Sequence, residues 1–67
     1  MTGKITHVVP DKGYGFITGE DGRDYYFHRS ALEPGQPFDH LLDGAAVTFD
    51  AAHAPKGLRA EGVRLVR

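Results

Sequence analysis

The chain has 67 residues, so residues 1–67 form a single domain at most. A domain of this size buries only about 60% of its unfolded surface, which leaves room for a shallow binding face and little for an enclosed catalytic cleft. Cysteine is absent, which removes disulfides, thiolate metal sites and a cysteine nucleophile; eight Lys plus Arg against nine Asp plus Glu, net charge −1, argue against binding that rests on bulk phosphate neutralisation.

No apolar run approaches the roughly 20 residues needed to span a bilayer, and the opening "MTGKITHVVP" lacks a signal-peptide hydrophobic region. A cytoplasmic protein with no membrane association is the expectation.

Five short strand signals follow one another. "KITHVV" (4–9) is rich in β-branched residues and ends at Pro10, which cannot donate to a ladder. "YGFIT" (14–18) and "DYYFH" (24–28) flank Asp21-Gly22, a strong hairpin-turn dipeptide. Then comes "SALEPGQPFDHLLDG", where Ser30 and Glu33 fit a capping box and predict one helical turn over 30–33, ended by Pro34 and Gly35. The rest of that stretch reads as a long loop, of the kind that is functional or disordered in a compact domain. "AAVTFDAA" (45–52) alternates around Val47 and Phe49, and "RAEGVRLVR" (59–67) places Val63 and Leu65 on one face. Five strands without a substantial helix predict an all-β fold, a small closed antiparallel barrel whose closure removes exposed sheet edges.

Of the three tyrosines and four phenylalanines, Tyr14, Phe16, Tyr25, Tyr26 and Phe27 crowd into the second and third strands. Side chains alternate between the faces of a strand. One face then carries Ile17, Tyr25 and Phe27 and joins Ile5, Val47, Phe49, Val63 and Leu65 in the core. The other carries Tyr14, Phe16, Tyr26 and His28, and a small barrel has only one inside. Either the long loop folds over this second set as a minor core, or the set is an outer platform on which nucleic-acid bases stack. Gly13 and Gly15, which would leave the backbone open to a ligand, favour the platform.

These residues resemble the cold-shock domain, a five-stranded barrel of the oligonucleotide-binding (OB) class. "KGYGFI" (12–17) is similar to that family's first ribonucleoprotein motif, K-G-[FY]-G-F-I, and "DYYFHRSAL" (24–32) to its second. "GKIT" (3–6), "PFDHLLDGAAVTFD" (37–50) and "PKGLRAEGV" (55–63) resemble its opening strand, its F-x-x-L-x-x-G-x-x-V-x-F stretch and its ending. The likeness covers almost the whole chain.

The resemblance implies single-stranded RNA or DNA as partner, RNA before DNA, and a role as RNA chaperone or regulator of transcription or translation. It implies no catalysis, cofactor or small-molecule substrate, and a monomer is expected. Carried over residue by residue, Tyr14, Phe16, Tyr26 and His28 become base-stacking positions, with Lys12 and Lys56 at basic ones. Phe38 either stacks on a base or pins the loop to the barrel. Where the family usually has K-W-F-N before the first motif, this chain has Thr6, His7, Val8 and Val9. The last aromatic of the second motif is replaced by Arg29. Arg29 either contacts the ligand, by stacking or by pairing with phosphate, or forms an ion pair with an acid such as Glu33. The missing rings imply weaker or altered binding, and the alternative is a protein-interaction module on a barrel that has lost most nucleic-acid affinity.

No other chemistry is encoded. His7, His28, His40 and His53 lack metal-ligand spacing, Asp21 and Asp24 flank a turn, and "GYGFITG" has neither dinucleotide nor P-loop spacing.

Overall fold

The computed structural model describes residues 1–66 and their side chains, that of Leu41 excepted. Five strands account for most of the chain: β1 (Thr2–Val9), β2 (Tyr14–Gly19), β3 (Asp24–His28), β4 (Ala46–Ala54) and β5 (Gly57–Leu65). Two single 3₁₀ turns, Arg29–Ala31 and His40–Leu42, interrupt the connection from β3 to β4. The strands neighbour one another in the order β1-β2-β3-β5-β4, and the β1–β4 pairing closes the sheet into a barrel.

The all-antiparallel barrel expected from the sequence is corrected at one seam. β1–β2, β2–β3, β1–β4 and β4–β5 pair antiparallel, whereas β3 and β5 pair parallel, at Tyr26 and Arg59. The reason is arithmetic. Direction reverses at each of the four antiparallel seams, and a ring with an odd number of strands cannot reverse at the fifth as well.

Two β-bulges set which residues face the core. Between Ile5 and His7, β1 carries one residue more than β2. Opposite Thr48–Asp50, β5 carries one residue more than β4, between Glu61 and Arg64. An extra residue shifts the phase of the alternation. Buried positions therefore step by three, from Ile5 to Val8 and from Ala60 to Val63, rather than by two. Strict alternation predicts Ile5 and Val63 in the core and misses Val8 and Ala60. Leu65, expected in the core, is half-buried and packs against its edge.

The core consists of Ile5, Val8, Ile17, Tyr25, Phe27, Val47, Phe49, Ala60 and Val63 from the strands, with Leu32 and Leu42 from the long connection. Fully burying a side chain such as Phe27 contributes about 1.5–3 kcal/mol. The connection is pinned along its length. Leu32 bridges to Val63, and the Glu33 amide donates to the Val63 carbonyl at 2.9 Å. At its far end the Val8 amide, just past the β1 bulge, donates to Asp43 Oδ1 at 3.1 Å.

The helical turn expected over 30–33 with Ser30 as its cap is also corrected. It runs from Arg29 to Ala31, and its cap is His28. His28 ends β3 with extended backbone, φ −89° and ψ 154°, and its ring accepts from the Ser30 amide. Ser30 lies inside the turn, where it cannot take the extended geometry of an N-cap.

Candidate nucleic-acid interface

The register of β2 and β3 builds the site. Phe27 opposes Gly15 and Tyr25 opposes Ile17 on the inner face, while Tyr14 opposes His28 and Phe16 opposes Tyr26 on the outer face. Three of the outer rings form one cluster. Tyr14 lies 5.8 Å from Phe16 and 5.6 Å from Tyr26, and Phe16 lies 6.1 Å from Tyr26. Edge-on and tilted contacts at these distances are favourable ring geometry. Phe16 remains 37% exposed, so one face of its ring is open to solvent. Among the described residues the long connection does not fold over this cluster as a minor core; its buried Leu32 and Leu42 belong to the barrel interior.

The glycines among these rings have a different role from the one anticipated. Gly15 is buried, and a Cβ there would lie 2.8 Å from Phe27 Cε1 and 2.8 Å from the His7 carbonyl oxygen. Its missing side chain makes room for an inward ring, not for a ligand. Gly13 is also buried, at φ +75°, and a Cβ there would lie 2.9 Å from Arg29 Cδ.

Basic residues approach the cluster from three places. Lys12 is exposed in the β1–β2 turn. Arg29 donates its amide to the Gly13 carbonyl at 2.8 Å and lays its aliphatic stem over Gly13. Among the described residues no carboxylate forms an ion pair with Arg29; elsewhere His40 Nδ1 lies 3.9 Å from Asp43 Oδ2. Lys56 is at the tip of the β4–β5 hairpin. A groove of ≈ 720 Å³ runs between the aromatic face and that hairpin, bordered by Phe16, Tyr26, His28, Lys56 and Arg59. Arg59 was not anticipated. Nothing local in "GLRAEG" marks it, because only the parallel β3–β5 seam brings it beside Tyr26.

His28 is held at the margin of this groove. Its Nδ1 accepts from the Ser30 amide at 3.1 Å and lies 2.9 Å from the Ser30 hydroxyl. The neutral ring therefore carries its proton on Nε2. Phe38, by contrast, is half-buried with its ring 5.8 Å from Phe27 and at 73° to it, so the structure pins it to an inward ring. At the substituted positions of β1, Val8 is fully buried and belongs to the core, whereas His7 is exposed directly across from Phe16.

Away from the groove, the β2–β3 turn holds a hydrogen-bonded pair of acids whose pKa values are shifted apart. Tyr25 donates its hydroxyl to Asp21 Oδ2 at 2.6 Å, and the Arg23 amide donates to Asp21 Oδ1 at 3.0 Å. The Tyr25 bond, then the Arg23 amide, hold the Asp21 carboxyl below its ordinary range. The same bond, then burial, push the Tyr25 phenol up. Among the described residues no group of three His, Asp or Glu side chains could hold a metal ion, and no helix is long and apolar enough to cross a membrane.

An all-β barrel with an aromatic cluster on its second and third strands defines a class, and comparison with known sequences agrees with it. The chain belongs to the 'Cold-shock' DNA-binding domain family, whose pattern it matches over residues 1–66. It is 49% identical over 61 residues to Cold shock protein 1 of Lactiplantibacillus plantarum, covering 91% of each chain. It is 39% identical over 66 residues to the Cold shock-like protein of Thermotoga maritima, covering 98% of each.

Proposed function

We propose that this protein binds single-stranded nucleic acid, RNA ahead of DNA, on the outer face of β2 and β3. It does so as a monomer, without chemistry, and keeps RNA single-stranded or regulates its transcription or translation. The observation that carries this reading is the contiguous cluster of Tyr14, Phe16 and Tyr26 on the outside of a barrel whose interior is already full. Bases stack on these rings and on His28, each stacked base being worth about 1–3 kcal/mol. Lys12, Arg29 and Lys56 contact the phosphates. Phe38 takes part only through the ring surface that its contact with Phe27 leaves open.

The test is a titration of tyrosine fluorescence at low salt with short single strands of matched sequence, RNA against DNA. The chain has no tryptophan, so the signal comes from its tyrosines. Quenching that saturates, and is tighter for RNA, supports the proposal. No quenching by mixed or pyrimidine-rich strands overturns it and leaves the exposed rings to a protein partner.

A further inference from the structure

The groove beside Tyr26 ends on a strand that contributes nothing to the two-strand platform proposed above. Arg59 on β5 is exposed, lies in register with Tyr26 and borders the groove together with Lys56. Its neighbours along the strand, Leu58 and Ala60, are half-buried and buried, so Arg59 points outward. Phe16, Tyr26 and Arg59 therefore form one row across three adjacent strands, a span of roughly 10 Å at about 4.8 Å per strand. Among the described residues no carboxylate pairs with Arg59. The acids of this hairpin, Asp50 and Glu61, face one another further along it.

We infer that Arg59, with Lys56, holds the phosphodiester of the nucleotide whose base stacks on Phe16 and Tyr26. The interface is then three strands wide, and β5 supplies its charged edge. The guanidinium presents a planar fork of donors that fits two phosphate oxygens, and among the described residues no carboxylate forms an ion pair with it. Bases on the rings and backbone on the cations is the arrangement that a charged, single-stranded ligand needs. This assignment rests on the single-strand reading given above.

The experiment is a set of salt titrations with hexauridylate, reading affinity and the slope of log K against log salt, for the wild type, Arg59→Gln, Arg59→Lys and Arg64→Gln. For single strands each phosphate contact contributes a slope of about 0.7. Arg59→Gln is expected to weaken binding about fivefold at low salt, in the range of an exposed charge pair, and to flatten the slope by about 0.7. Arg59→Lys keeps the slope. Arg64→Gln, on the row Thr2–Thr48–Arg64 at the other end of β5, changes neither reading. Unaltered melting temperature in Arg59→Gln shows that the fold is intact. Wild-type binding with an unchanged slope in Arg59→Gln overturns the role of Arg59 and leaves the platform standing. Absence of wild-type binding overturns both.

Discussion

His28 accepts the amide of Ser30 through Nδ1, and this one bond gives the histidine two roles. It caps the 3₁₀ turn that starts the long connection, and it holds the ring at the margin of the groove with the proton of the neutral form on Nε2. The two roles separate by substitution. His28→Ala should lose about 1 kcal/mol of stability, the usual worth of a cap, and also weaken binding of single strands. His28→Phe should lose the cap but keep a stacking surface. Urea denaturation alongside binding titrations checks this; equal affinities of the two variants would remove His28 from the stacking set.

Phe16 and Phe38 are predicted to behave oppositely. Phe16 is exposed in a cluster of outer rings, whereas Phe38 packs on Phe27 and the core. Phe16→Ala should cost about 1–3 kcal/mol of binding with little loss of stability. Phe38→Ala should lower the melting temperature first, and affinity less. Calorimetric melting and affinity measured on the same preparations decide it.

Arg29 forms no ion pair with a carboxylate among the described residues, and its stem lies over Gly13, between Lys12 and Tyr14 in the chain. Arg29→Ala should weaken binding and flatten the salt slope by about 0.7, one phosphate contact. Arg64→Ala should do neither. Equal effects from the two would show that the charge acts through the overall field and not through a contact.

Gly15→Ala should destabilise by about 1–3 kcal/mol, the cost of overpacking a core. The added methyl would meet the Phe27 ring and a backbone carbonyl of β1, and the carbonyl cannot rotate away. Any loss of binding should then follow the loss of fold. A variant that is stable yet fails to bind would restore Gly15 as a site for ligand approach.

The Asp21–Tyr25 bond predicts a stability plateau with two edges. The carboxyl of Asp21 is held below its unfolded value, so its contribution is complete above about pH 4 and is lost as pH falls through the folded value. The phenol of Tyr25 is held above its unfolded value, so its contribution is complete below about pH 10 and is lost as pH rises through the folded one. Tyr25→Phe keeps the ring contact with Phe49, 5.0 Å away, and should blunt both edges. Melting temperature measured from pH 2 to 11 checks it; unchanged slopes in Tyr25→Phe would place the coupling elsewhere.

The sequence by itself determined which rings of β2 and β3 face in and which face out. Both strands are regular and a short turn joins them, so a period of two carries Ile17, Tyr25 and Phe27 inward and Tyr14, Phe16 and Tyr26 outward without error. It also determined the strand count and, through five ordered motifs, the family. Tertiary structure decided the rest. Val8 and Ala60 entered the core because a bulge on each of their strands shifts the period; the β5 bulge holds Gly62 at φ +58°, but the β1 bulge at Thr6 has no such residue to mark it. Phe38 was assigned to Phe27 because a loop has no period to read. Arg59 reached Tyr26 because a five-membered ring of strands must contain one parallel seam, and that seam joins residues remote in the chain. Local alternation records how a side chain points; only closure of the barrel records what it meets.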